Sequence, residues 1–268
     1  MKVLANDGVS QSGIDALEKA GYEVITTTVA QEQLINYINE KNIDVLLVRS
    51  ATTVRKELID ACPSIKLIGR GGVGMDNIDV EYAIDNGLHV INTPNASSNS
   101  VAELVFAHLF GMVRYLHQAN REMPLEGDTR FKDLKKDFAG GAELRGKTLG
   151  IIGFGRIGKE VARIALGIGM KVIATDGFVE GATINVPFYN GQSIDIQIET
   201  EPFEEVLKHA DFITLHVPNQ ESYIIGKDQF DSMKDGVGII NAARGGVVDE
   251  VALVDAINSG KVRYAGLD

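Results

Sequence analysis

The clearest chemistry in this sequence lies in Gly153-Phe154-Gly155-Arg156-Ile157-Gly158. Three glycines at this spacing follow a short apolar run, Thr148–Ile152. They precede Ile157, Val161, Ile164, Ala165 and Ile168, which fall at helical spacing. A strand, a glycine turn and a helix in that order are what a dinucleotide-binding turn requires. Gly153 permits the tight turn, Gly155 lets the backbone approach a pyrophosphate, and Gly158 lets the helix pack closely on the strand. The helix N-terminus then offers free N–H groups and a partial positive charge to phosphates. A second strand ends at Asp176, roughly 20 residues on, where a carboxylate suits the ribose hydroxyls. Its charge would repel a 2′-phosphate, and Gly177-Phe178 brings no arginine to offset that. The spacing therefore predicts NAD rather than NADP.

Arginines supply the second kind of chemistry. Arg244 follows an apolar run, Gly238–Asn241, and precedes Gly245-Gly246. Ligands of α/β sheets bind just beyond such strand ends. A guanidinium there can hold a carboxylate and stabilise negative charge growing on a carbonyl oxygen. Arg49, followed by Ser50, and Arg70 also sit at strand ends. We expect both to take a further anionic group such as a phosphate. Gly72-Val73-Gly74 is expected to expose backbone N–H groups suited to a carboxylate. On the residues alone, a plain turn and solvated surface arginines remain open alternatives for these segments.

These residues need a scaffold, and the chain alternates short β-branched runs with helical patterns almost throughout. The first series of predicted strands is Val3–Ala5, Glu23–Thr27, Val45–Val48, Leu67–Gly69 and Val90–Asn92. Little polar alternation appears in them, as expected of parallel strands covered on both faces. A long helix follows, with Val101, Leu104, Val105, Leu109, Met112, Val113 and Leu116 on one face. Next comes a charged segment, 123–145, read as an irregular arm because it contains Pro124, Gly127, Gly140 and Gly141. The second series is Thr148–Ile152, Val172–Thr175, Phe212–Val217, Gly238–Asn241 and Val262–Leu267. The segment 177–202 receives no assignment. Two α/β domains of doubly wound parallel-sheet design are expected, 1–97 and 98–268, with the hinge near 95–99.

Composition narrows the function classes. The net charge of −11 opposes a nucleic-acid surface, so no nucleic-acid partner is expected. A local arginine cluster still admits a small anionic substrate, because salt screens distant charge. No apolar run reaches the roughly 18 residues of a membrane span. The N-terminus opens as a strand without a signal-peptide pattern. The one cysteine, Cys62, excludes an internal disulfide and suggests a reducing, cytoplasmic setting.

Five segments together resemble the D-isomer-specific 2-hydroxyacid dehydrogenases. They are Val48-Arg49-Ser50-Ala51-Thr52, the run from Gly69 to Asn77, the glycine turn, His216-Val217-Pro218, and Asn241-Ala242-Ala243-Arg244-Gly245-Gly246. The branch they look most like is the one that oxidises D-3-phosphoglycerate. The resemblance covers nearly the whole chain. It implies a flavodoxin-like substrate domain, a Rossmann NAD-binding domain, and an active site in the cleft between them. It also implies a homodimer formed through the NAD-binding domain, by its first helix and the 123–145 arm. By the family pattern Arg156 and Ile157 lie on the pyrophosphate and Asp176 on the adenosine ribose. His216, Val217 and Pro218 flank the cofactor, while Ala242, Ala243 and Asp268 approach the nicotinamide. Arg244 matches the catalytic arginine. The implied reaction is NAD-dependent oxidation of a small D-2-hydroxy acid. 3-Phosphoglycerate is preferred, with glyoxylate/hydroxypyruvate or D-lactate type reduction as the alternative.

The pattern also departs from the family. Its histidine proton acceptor and the glutamate partner lie past the strand ending in Asp268, and they have no counterparts in these residues. His108 reads as a core histidine, His117 and His209 sit near helix ends, His89 begins a strand, and His216 belongs to the cofactor side. None is expected to replace the missing base. A fragment of a longer enzyme is the expected explanation. A non-catalytic NAD-binding regulatory protein is the reading of another class.

Overall fold

The structure, a computed structural model, describes all 268 residues. The chain divides into two compact units, Met1–Ser97 and Ser98–Asp268.

In the first unit, five strands alternate with four helices: β1 (Lys2–Ala5), α1 (Gln11–Lys19), β2 (Glu23–Ile25), α2 (Gln31–Lys41), β3 (Val45–Val48), α3 (Lys56–Ala61), β4 (Leu67–Arg70), α4 (Val80–Asp85) and β5 (His89–Asn92). The strands form one parallel sheet in the order β2-β1-β3-β4-β5, the flavodoxin-like order. Leu4, Leu46, Val48 and Ile68 bury one sheet face against Leu34, Ile38, Leu58 and Ile59 of the helices. The other face is thinly covered. α1 buries no residue fully, and the register row Leu47, Gly69, Ile91 ends on an Ile91 that is 53% exposed.

The second unit opens with α5 (Ser98–Val113) and α6 (Leu116–Asp137), followed by a 3-10 turn. Then come β6 (Thr148–Ile152), α7 (Arg156–Gly167), β7 (Lys171–Thr175), β8 (Gly181–Pro187), β9 (Ser193–Glu199), α8 (Phe203–His209), β10 (Phe212–Leu215), α9 (Lys227–Ser232), β11 (Val237–Asn241), α10 (Glu250–Asn258) and β12 (Val262–Leu267). The parallel sheet runs β12-β11-β10-β6-β7. A parallel bridge from Ala174 to Thr200 sets the end of β9 beside β7, which completes a Rossmann order. Strand alternation divides the core. Leu149, Ile151 and Ile240 meet α5 and α7 on one face, whereas Ile152, Ile213 and Ile239 meet α8 and α9 on the other.

Two expectations are corrected, and one segment without an assignment is filled. The 123–145 arm is mainly helix: α6 continues through Pro124 and Gly127 and breaks regular geometry only at Arg130 (φ −120°, ψ 20°). It buries only Leu134, so the carbonyl that Pro124 leaves without a donor can be hydrated. The long helix face stops short of Leu116, because Tyr115 adopts a left-handed conformation (φ 55°) and separates α5 from α6. His117 therefore stands in the first turn of α6. The unassigned segment 177–202 holds the antiparallel hairpin β8–β9, whose Ile184, Val186 and Ile198 are buried beside α7.

Gly150 shows how tightly helix and sheet meet. A Cβ there would fall 2.8 Å from Ala210 Cβ and 2.9 Å from Val206 Cγ1. We expect Gly150→Ala to lower stability by about 1–3 kcal/mol, the usual cost of overpacking. Urea unfolding of both proteins checks this, and an unchanged midpoint would contradict the packing described.

Candidate active site

Parallel strands deliver the residues that follow them to one sheet edge. In the second unit Gly153 follows β6, Asp176 follows β7, His216-Val217-Pro218 follow β10, Ala242-Ala243-Arg244 follow β11, and Asp268 follows β12. Gly153 has φ +94°, and a Cβ on it would lie 2.5 Å from the His216 carbonyl oxygen. A Cβ on Gly158 would strike the Gly153 carbonyl, so helix and turn can meet this closely only through glycine. Around Gly155 the Cβ position is open space. No side chain caps α7 at Gly155, which leaves the first-turn N–H groups of Arg156 and Ile157 for a ligand. This cradle fits the pyrophosphate of a dinucleotide.

Asp176 holds the turns around it. Its Oδ2 accepts from Phe154 N at 2.7 Å, and its Oδ1 accepts from Phe178 N at 2.8 Å and Val179 N at 3.1 Å. The carboxylate thus ties the glycine turn to the end of β7. A carboxylate has about four acceptor positions, so capacity for a hydroxyl remains.

The Arg244 turn has an organiser that sequence reasoning missed. Asn241 is buried; its Oδ1 accepts from Ala243 N at 3.1 Å and its Nδ2 donates to Arg244 O at 2.9 Å. Arg244 Nη1 donates to Ala243 O at 2.8 Å. Asp268 N donates to Asn241 O at 3.1 Å, which joins the ends of β11 and β12. Val217 borders Gly153, while Pro218 is exposed.

In the first unit, the C-terminal strand ends surround a cavity of about 640 Å³ whose lining includes Asp7, Ser10, Arg49, Arg70, Asn92 and Thr93. Both arginines therefore face one space. Asp7, another residue the sequence reading passed over, holds the loop that bears Arg49 and Ser50. It accepts from Arg49 N at 2.6 Å, Thr52 N at 3.1 Å and Thr52 Oγ1 at 2.5 Å. Burial alone would raise the Asp7 carboxyl, but these hydrogen bonds bring it below its ordinary value. Asn77 supports the same loop, donating to the carbonyls of Arg49 and Thr52, and it accepts from Arg70 Nε at 3.2 Å. Gly72-Val73-Gly74 only partly matches the expectation of open N–H groups. The Gly72 N–H is taken by Arg70 O at 3.0 Å, and those of Val73 and Gly74 find no acceptor in the protein.

The histidines do not form an acid–base pair at these edges. His209 Nε2 lies 3.1 Å from Glu205 Oε2, but the pair is exposed on α8 just before β10 begins, at the opposite end of the sheet from Arg244. His216 Nε2 is 3.0 Å from Thr214 Oγ1, and its Nδ1 is buried without a partner. Burial pushes this imidazole down to about 4 from 6.5. The folded state therefore holds His216 neutral, and the unfolded state takes up its proton first. The resulting stability is full above about pH 6.5 and declines as pH falls toward 4, by at most roughly 3 kcal/mol. Urea midpoints between pH 7 and 4.5 should fall less for His216→Gln than for the unsubstituted protein. Equal slopes would refute the assignment.

The family model for the "D-isomer specific 2-hydroxyacid dehydrogenase, NAD binding domain" matches residues 106–268, more than half the chain. A D-3-phosphoglycerate dehydrogenase of Methanocaldococcus jannaschii is 40% identical over all of this chain and 48% of its own length. A hydroxypyruvate reductase of Thermotoga maritima is 42% identical over all of this chain and 82% of its own. The chain thus spans about half the length of the phosphoglycerate dehydrogenase and most of the reductase. Among solved structures, the D-lactate dehydrogenase of Aquifex aeolicus complexed with NAD and lactic acid superposes with a TM-score of 0.72. It is 31% identical, over 100% of this chain and 76% of that one. No helix here is long and apolar enough to cross a membrane. The chain belongs to the D-isomer-specific 2-hydroxyacid dehydrogenases, a family of NAD-dependent oxidoreductases, and its second unit carries their NAD-binding domain.

Proposed function

We propose that the chain serves the oxidation of D-3-phosphoglycerate to 3-phosphohydroxypyruvate, the entry to serine synthesis. The observation that carries this reading is the pair Arg49 and Arg70 lining one cavity in the first unit. A substrate with a phosphate as well as a carboxylate uses two such cations, and D-lactate has no group for the second. The N–H groups of Val73 and Gly74 suit the carboxylate. Gly153–Gly158 and Asp176 would hold NAD⁺, which would supply the hydride acceptor for C2 of the substrate. Arg244 would hold the reacting carboxylate and carbonyl and stabilise charge on the oxygen. The hydroxyl proton is assigned to none of the five histidines, given their positions. The Thermotoga relative supports a second reading, hydroxypyruvate reduction, which needs no phosphate site.

Binding separates the two. Calorimetric titration should show tighter binding of 3-phosphohydroxypyruvate than of hydroxypyruvate in the presence of NADH. Arg49→Ala and Arg70→Ala should each reduce that preference roughly tenfold or more, as expected for one charge-assisted contact. A preference that survives both substitutions sinks the phosphate reading and favours the reductase. Arg244→Ala should weaken both ligands together by about 10–100-fold.

We also propose a homodimer through α6. This helix buries only Leu134 and exposes Leu116 (50%), Leu125 (80%) and Phe131 (53%). Sedimentation equilibrium should give about twice the 28.9 kDa of the chain, and Leu125→Asp with Phe131→Asp should give a monomer. A monomeric unsubstituted protein would rule this out.

A further inference from the structure

Arg49 and Arg70 reach their cavity from neighbouring strands. Val48 pairs with Arg70 in the register of β3 and β4, and Gly71 N donates to Val48 O at 2.8 Å, so Arg49 leaves β3 beside Gly71. The glycine pair that follows Arg70 lies against both arginine side chains. A Cβ on Gly71 would lie 3.4 Å from Arg49 Cγ. One on Gly72 would overlap Arg70 Nη1 and lie 2.9 Å from its Cζ. The space that a side chain would take at Gly72 is filled by the Arg70 guanidinium.

Asn77 joins the two arginine segments. Its Nδ2 donates to Arg49 O at 2.8 Å and to Thr52 O at 2.6 Å, and its Oδ1 accepts from Arg70 Nε at 3.2 Å. Its backbone is anchored to the same loop, because Val54 N donates to Asn77 O at 2.8 Å. Two carbonyls face the amide nitrogen and an N–H faces the amide oxygen, so one orientation of the side chain satisfies all three. An amide is neutral, and it holds Arg70 without cancelling its charge. No ion pair within the protein includes Arg49 or Arg70.

We propose that Asn77 and Gly72 are positioning residues for substrate recognition. Asn77 sets the spacing of the two arginine segments, Gly72 leaves the place in which the Arg70 guanidinium lies, and that spacing selects a 2-hydroxy acid with a second anionic group. The proposal rests on the phosphate reading of Arg49 and Arg70 given above. A loosely held arginine follows any anion that arrives. A fixed pair favours anionic groups of matching separation and loses little side-chain freedom when they bind.

Gly72→Ala is the sharper test. The atoms nearest the added methyl all belong to the Arg70 guanidinium, and Gly72 has no left-handed φ, so the guanidinium moves while the backbone stays. In calorimetric titrations with NADH present, Gly72→Ala and Asn77→Ala should each lower the preference for 3-phosphohydroxypyruvate over hydroxypyruvate roughly tenfold, the scale of one charge-assisted contact. The urea midpoint of Gly72→Ala and its affinity for NADH should match those of the unsubstituted protein. Arg70→Lys keeps the charge but has no Nε for Asn77 to hold. Asn77→Ala should therefore lower the preference much less in an Arg70→Lys background than alone. An equal loss in both backgrounds would mean that Asn77 does not act through Arg70, and would refute its role. If either Gly72→Ala or Asn77→Ala keeps the full preference while Arg70→Ala loses it, positioning by that residue is refuted and the phosphate reading stands. If Arg49→Ala and Arg70→Ala also leave the preference unchanged, the phosphate reading and this proposal fall together.

Discussion

Everything assigned to chemistry here depends on the parallel alignment of strands. A parallel strand sends its C-terminal residue to the same edge as its neighbours, so residues distant in sequence share one rim. Gly153, Asp176, Val217, Arg244 and Asp268 come from five different strand ends of the second unit. Asp7, Arg49, Arg70 and Thr93 do the same in the first. The sheet order matters as much as the direction. In the second unit β6 lies between β7 and β10, so the chain leaves the glycine turn on one side and returns on the other, which opens a crevice at that point.

Strand ends deliver residues, but the turns beyond them need their own constraints. Short polar side chains provide these by accepting from several backbone N–H groups. Asp7 organises the loop of Arg49 and Thr52, Asp176 organises the glycine turn and the Phe178 turn, and Asn241 organises the Arg244 turn. Each takes the place of a regular backbone partner where strand pairing has ended. Arg49 and Arg70 are located by their loops, and their guanidinium groups still line the cavity. A net charge of −11 does not oppose anion binding at this cavity, because Arg49 and Arg70 both line it and salt screens distant charge.

Glycines in the second unit serve contact as well as conformation. Gly150 lets α8 lie directly on β6, and Gly158 lets α7 lie against the turn. The hairpin β8–β9 covers the other side of α7 with Ile184, Val186 and Ile198, while its outward face carries a polar ladder that includes Thr183–Gln197 and Asn185–Asp195. Arg163 of α7 donates to the Asn185 carbonyl at 2.7 Å, so helix and hairpin are joined by a backbone acceptor as well as by apolar contact.

The sequence by itself determined the fold class, the strand series, the glycine turn and Asp176, because these follow from local periodicity and fixed spacing. Strand bounds came within one or two residues; β2, read to Thr27, ends at Ile25 because pairing with β1 ends there. The hairpin β8–β9 carries a local signal, yet its segment received no assignment. Ile194, Ile196 and Ile198 alternate with polar residues beyond Asn190-Gly191, but a parallel α/β pattern on both sides hid it. α6 was misread because Pro124 and Gly127 are local signals of a break, and an exposed helix can accommodate both. Only the tertiary structure decided that Arg49 and Arg70 face one cavity, that Asp7 and Asn241 shape the functional turns, and that the Gly72 N–H is spent on Arg70. Those are relations between residues far apart in the chain, or between a side chain and a particular backbone atom. No spacing encodes them; they exist only once the strands have paired.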